Sequence, residues 1–115
     1  MSAAAELAAL LKAPQAGLRL IHLHLGRLQT APSTEQRQSI RQLLRTLGKQ
    51  ADDWRLFDMA NGDLLMLYQG LADTAAEAAC RQVTGLLPDP PPIFEIVDVA
   101  ASRERLLCYL DSVSA

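Results

Sequence analysis

The feature that most constrains this chain is a pair of short runs that are apolar on both faces. Residues 18–25 read Leu-Arg-Leu-Ile-His-Leu-His-Leu, and residues 64–69 read Leu-Leu-Met-Leu-Tyr-Gln. In an extended chain, successive side chains alternate between faces. Leu18, Leu20, His22 and His24 then point one way, and Arg19, Ile21, Leu23 and Leu25 the other. Strands with this patterning belong inside a sheet rather than at its edge. Both faces of that sheet also need covering, because soluble monomers rarely keep a large apolar patch exposed.

The remaining elements fall around these two strands. Residues 2–12 are rich in strong helix formers, with Leu7, Leu10 and Leu11 on one face. Ser33 and Gln36 form an S-x-x-Q capping pattern, which predicts a helix over 33–48 with Ile40, Leu43, Leu44 and Leu47 as its buried stripe. Strands at 54–59 and 64–69 are joined by Ala60-Asn61-Gly62-Asp63. Asn-Gly between apolar runs predicts a hairpin with a type I′ turn. Thr74 and Glu77 read as a second capping box, heading an alanine-rich helix to residue 87. Pro88–Pro92 is a rigid extended connection, 93–99 is a strand rich in β-branched residues, and Ser102 caps a last helix over 102–113.

The expected fold is therefore α+β. It is a ferredoxin-like β-α-β-β-α-β sandwich, with a four-stranded antiparallel sheet, two core helices and extra N- and C-terminal helices. The expected organisation is a single domain over 1–115, with an N-terminal helix over 1–13, the core over 17–100 and the C-terminal helix over 102–113.

Composition excludes several functional classes. Half of the 115 residues are apolar, which argues against intrinsic disorder. A formal charge of −2 argues against a dedicated nucleic-acid binder. No apolar run reaches the ~18 residues needed to span a bilayer. The N-terminus lacks the basic and apolar regions of a signal peptide. Cys80 and Cys108 form neither a disulfide framework nor a zinc spacing. The expected location is cytoplasmic, with no nucleic-acid and no membrane partner.

The order of elements and the hairpin together resemble the GGDEF domain of diguanylate cyclases, over about residues 17–100. With Asp63-Leu64 on the motif's Glu-Phe, Ala60, Asn61 and Gly62 fall on its Gly-Gly-Asp. His22-Leu23-His24 falls where the family carries D-x-D, and Arg27 falls on its Lys. The resemblance implies carboxylates that hold two Mg²⁺ ions on nucleotide phosphates. Mg²⁺ wants oxygen ligands, and here both first-strand acids are His, with Asp63 the one acid kept at the hairpin. The resemblance thus implies a degenerate, non-catalytic copy. Arg55-Leu-Phe-Asp58 has the spacing of the family's R-x-x-D product site, but it lies two residues too close to Ala60 to be carried over.

The candidate residues follow. His22 and His24 leave one face of their strand and could bind a borderline ion such as Zn²⁺, with Asp63 or Asp58 as a third ligand. Two ligands alone are more simply semi-exposed histidines, so no metal and no cofactor is expected. A small-ligand site would gather His22, His24, Asn61 and Asp63. Arg37, Arg41, Arg45 and Lys49 form a slanted basic stripe, read as a solvated helix face. Two core helices leave one sheet face open, so the terminal helices or a second copy of the chain should cover it. Leu18, Leu20, Met66, Tyr68, Leu106 and Leu110 are the expected anchors. The expected function is a non-enzymatic bacterial signalling module that acts as a homodimer or through another signalling protein. The alternative is a nucleotide or metal sensor.

Overall fold

A computed structural model describes residues 3–12, 17–28, 32–87 and 94–114. Its elements are α1 (Ala3–Leu11), β1 (Arg19–Leu23), a short 3-10 turn (Leu25–Arg27), α2 (Thr34–Gly48), β2 (Asp53–Asp58), β3 (Leu64–Gln69), α3 (Asp73–Gly85), β4 (Phe94–Asp98) and α4 (Val99–Ser114). The four strands form one antiparallel sheet in the order β2-β3-β1-β4. The two doubly apolar strands, β1 and β3, are its central pair. This α+β arrangement is compatible with the ferredoxin-like fold, with helices added at both ends.

Helices α2 and α3 cover one face. Ile21, Leu23, Leu64, Met66 and Tyr68 of the sheet join Ile40, Leu44 and Leu47 of α2 and Ala76, Ala79, Cys80 and Val83 of α3 in one apolar cluster. The small side chains of α3 let it lie close to the strands. On the other face, Leu20, Phe57, Leu65 and Leu67 cluster with Leu7 and Leu11 of α1 and with Leu106 and Leu110 of α4. Fully burying one such side chain contributes about 1.5–3 kcal/mol.

The chain thus supplies its own second layer, and this corrects the expected interface. Leu20, Met66, Tyr68, Leu106 and Leu110 are buried within the chain, and Leu18 is half-buried against the α1/α4 cluster. Met66 and Tyr68 lie on the opposite sheet face from Leu20. These six residues do not form an exposed anchor surface.

Several boundaries also differ from expectation. The capping box at Ser33 is present, with Gln36 N–H donating to Ser33 Oγ at 3.1 Å and Ser33 N–H donating to Gln36 Oε1 at 2.8 Å. The one expected at Thr74 is not. Helix α3 starts at Asp73 after Ala72, with no side-chain cap. Asp73 places its charge in the first turn and pairs with Arg19 at 3.0 Å. Ser102 does not cap α4 either, because that helix begins directly at Val99. Val99 is fully buried and its N–H donates to the Leu18 carbonyl at 3.1 Å, so tertiary anchoring sets the start. The Pro88–Pro92 connection lies outside the described residues.

Candidate functional site

His22 lies on β1, on the sheet face covered by α1 and α4. Register sets it opposite Leu65 on β3 and Glu95 on β4. The His24 ring stacks on it, with centroids 3.8 Å apart and planes at 23°. Tyr109 of α4 meets the His22 ring edge-on at 4.5 Å. Strand periodicity aligns the two histidines; the packing of α4 brings in the tyrosine.

Asp63 is the hub of this cluster. It is only 2% exposed. His22 Nε2 donates to its Oδ2 at 2.8 Å, and Tyr109 Oη donates to the same oxygen at 2.7 Å. Asn61 Nδ2 adds a donor to Oδ2 at 3.3 Å, and Gly26 N–H donates to Oδ1 at 2.7 Å. One carboxylate therefore ties the hairpin to β1, to the 3-10 turn and to α4.

The local chain geometry explains how Asp63 turns inward. Met59 N–H donates to the Asp63 carbonyl at 2.9 Å, and Gly62 N–H donates to the Met59 carbonyl at 3.0 Å. The loop is residues 60–62, with Gly62 in the left-handed region at φ 96. Three-residue loops of this kind join a type I turn to a left-handed residue. The expected two-residue type I′ turn is thereby corrected: Ala60 joins the loop, and Met59 takes its place opposite Asp63 in the closing pair. Asp63 N–H also donates to Asn61 Oδ1 at 3.0 Å. Across from it, Gly26 fits because it has no side chain. A Cβ there would collide with the Asn61 carbonyl and sit 3.0 Å from Asp63 Oδ1.

The electrostatics follow from these contacts. Burial by itself would raise the Asp63 carboxyl, but the hydrogen bonds from His22, Gly26 and Tyr109 outweigh it and hold the group well below the usual carboxylate range. Asp63 is thus an acceptor-only carboxylate, so His22 Nε2 is the donor in their contact. Burial, reinforced by His22 and Arg27, pushes His24 below its ordinary value of 6.5. Burial and the Asp63 contact raise the Tyr109 phenol. His24 Nε2 is buried without a hydrogen-bond partner among the described residues, and Glu95 Oε2 lies 3.7 Å away.

His22, His24, Glu95, Arg105, Tyr109 and their neighbours line a cavity of about 170 Å³. Pockets for small organic molecules are usually ~300–1,000 Å³. This one is sized for an ion or a ligand of a few atoms.

Of the four expected ligand residues, His22 and His24 line the cavity; Asp63 is outside its lining and holds His22 by a hydrogen bond, and the exposed Asn61 is joined only to Asp63. Sequence reasoning missed Gly26, Glu95, Arg105 and Tyr109. Glu95 was reachable from the β1–β4 register, but no local pattern marks the others. Asp58, considered as a third ligand, is turned towards α2 instead. It pairs with Arg41 and, at 3.3 Å, with Arg37, whose guanidinium also donates to the Gly62 carbonyl at 3.1 Å. The first half of the basic stripe thus clamps the hairpin. Arg55 pairs with Glu6 at 3.3 Å. Among the described residues no helix is long and apolar enough to cross a membrane. Comparison with protein-family models, with curated proteins and with solved structures found no match.

Proposed function

We propose that this chain is a non-catalytic signalling module that senses a small ligand at the His22–His24 cavity and relays its occupancy to α4. The observation that carries this reading is the single network joining cavity to helix: His24 stacks on His22, His22 donates to Asp63, and Tyr109 of α4 donates to the same carboxylate oxygen. Tyr109 also meets the His22 ring edge-on, so a change at the imidazoles would reach α4 both directly and through Asp63.

The non-catalytic part rests on Asp63. It is the one hairpin acid that the GGDEF resemblance retains, and its lone pairs are committed to four donors in a buried position. A carboxylate so engaged is not free to hold Mg²⁺ on a nucleotide, as phosphoryl transfer in that family requires. The cavity volume favours a ligand-sensing role over recognition of a whole nucleotide. The apolar surplus that suggested a homodimer is buried beneath α1 and α4, so a partner protein would read the outer surface of α4.

A thermal-shift panel tests the reading, using Zn²⁺, Mg²⁺, inorganic phosphate, GTP and a cyclic dinucleotide. A ligand that binds only the folded state raises Tm. The expected result is a rise with one of the small ions, lost in His24→Ala, and none with either nucleotide. No rise with any member of the panel overturns the sensor, and turnover of GTP with Mg²⁺ overturns the non-catalytic assignment.

A further inference from the structure

Two imidazoles on one strand face lack a third ligand in the sequence, and β4 supplies one. Glu95 sits directly opposite His22 in the register. One donor atom from each of His22, His24 and Glu95 lies within 4.8 Å of the others. We propose that these three residues form a binding site for a divalent transition-metal ion of the Zn²⁺ type, with Asp63 orienting His22 from outside the coordination sphere. This names the ligand class of the sensor proposed above and rests on that reading.

The donor chemistry selects the ion. Two neutral imidazoles and one carboxylate suit Zn²⁺, whereas Mg²⁺ and Ca²⁺ prefer all-oxygen shells. Three protein ligands leave a fourth position for water, the pattern of an accessible zinc site rather than a closed structural one. Bonds of ~2.0–2.1 Å place tetrahedral donors ~3.3 Å apart, so the trio, whose donor atoms lie within 4.8 Å of one another, must close on the ion, and the stacked rings must turn to aim their in-plane lone pairs at it. His24 Nε2 and Glu95 Oε2 are already 3.7 Å apart, and the Glu95 side chain, 48% exposed, is free to swing.

Two further observations point to a ligand. His24 Nε2 is a buried polar atom with no hydrogen-bond partner among the described residues, and it borders the cavity. A buried polar atom left unsatisfied is destabilising, and a metal bond would satisfy it. His22 is held through Nε2 by a buried carboxylate, so Nδ1 is the nitrogen that would bind. Metal-binding histidines characteristically give their other ring N–H to a carboxylate in this way.

The site also has an opposing charge. Arg105 Nη2 of α4 lies 3.7 Å from Glu95 Oε2, and Arg27 borders the same cavity. An arriving cation would take Glu95 from Arg105, whose side chain is 62% exposed and can move into solvent. Exchange of Arg105 for a metal on one carboxylate gives a second route from the cavity to α4.

The test is calorimetric titration of the untagged 115-residue chain with ZnCl₂, in a Cys108→Ser background that removes the exposed thiol as a competing ligand. The expected result is one Zn²⁺ per chain, with affinity weakened at least about tenfold by His24→Ala and by Glu95→Gln. Glu95→Gln keeps the side chain's shape on a half-exposed surface, so a folding defect does not obscure the result. Co²⁺ should give the visible absorption of a four-coordinate nitrogen–oxygen site. Zn²⁺ affinity unchanged in both variants, or no Zn²⁺ binding, overturns the metal site. If inorganic phosphate raises Tm through His24 while Zn²⁺ does not, the pocket is an anion sensor: the metal inference falls and the sensor stands. If neither ion nor any other panel member acts, both fall.

Discussion

At Asp63 four donors converge on one buried carboxylate, so its loss costs more than a single hydrogen bond. Leaving a buried donor unsatisfied costs about 1–3 kcal/mol, and Asp63→Ala strands His22, Tyr109 and Gly26 together, so we expect a loss of at least about 3 kcal/mol in urea denaturation. The same group sets a pH dependence. Its folded pKa lies below the ordinary 3.8, so its stabilisation is complete above that pH and is lost as pH falls below it. His24 acts in the same direction at higher pH. Its folded pKa is below 6.5, so the unfolded chain takes up the proton first and stability declines as pH falls through that value. Tm should therefore be flat from neutrality to about pH 8, fall below about pH 6.5 and fall again below about pH 4, and decline above about pH 9, where Cys80 and Tyr109 ionise first in the unfolded chain; Asp63→Asn should flatten the lowest limb. The two thiols also differ. Burial, with Glu77 nearby, pushes Cys80 up to about 12, while Cys108 is exposed. A disulfide reagent at pH 8 should modify Cys108 in the native protein and Cys80 only after unfolding. The polar residues of the site were legible singly but not as a network. His22 and His24 announce themselves by spacing and Asp63 by its turn. Tyr109 and Gly26 are joined to them only by long-range packing, which leaves no mark in local sequence.

The elements divide by what determines them. Period-2 and period-3.6 patterning is a local property, so the order of strands and helices was readable, as was the Ser33 cap. Starts fixed by tertiary contact were not. Ser102 has the chemistry of a cap, yet buried Val99 and its bond to Leu18 begin α4 three residues earlier. Thr74 loses in the same way to Asp73, which Arg19 holds from β1. Helix α1 shows how little sequence says about an element's importance. It is nine residues long and rich in alanine, yet Leu7 and Leu11 are 1% and 0% exposed. Leu11→Ala should cost about 2–5 kcal/mol by chemical denaturation. Leu7→Asp should lift α1 and uncover Leu20, Leu65 and Leu67. Light scattering should then show a monomer for the parent chain and association for the variant, because an apolar sheet face is a contact surface once uncovered.

Across the whole molecule, two apolar layers sandwich one sheet, and this has a cost in uniqueness. In most sheets a slip of one residue turns apolar side chains out to solvent, which fixes the alignment of strands. Here a slipped β1 or β3 would exchange leucine for leucine, and hydrophobicity alone would scarcely distinguish the two alignments. His22 and Asp63 break that degeneracy. A slip of β1 would carry an imidazole into the largely apolar layer beneath α2 and α3 and take the His22 donor from the hairpin carboxylate. The pair thus acts as a key for strand alignment, whatever ligand the cavity takes. Replacing both partners with leucine should cost less than the two single replacements summed, because neither is left facing an unpaired partner, although Gly26 N–H and Tyr109 Oη still lose their acceptor. What that double variant should lose is singularity: its amide spectrum should broaden or double as the two central strands sample neighbouring alignments. The few polar atoms at the centre of this sheet select one native state from several that greasy packing would accept.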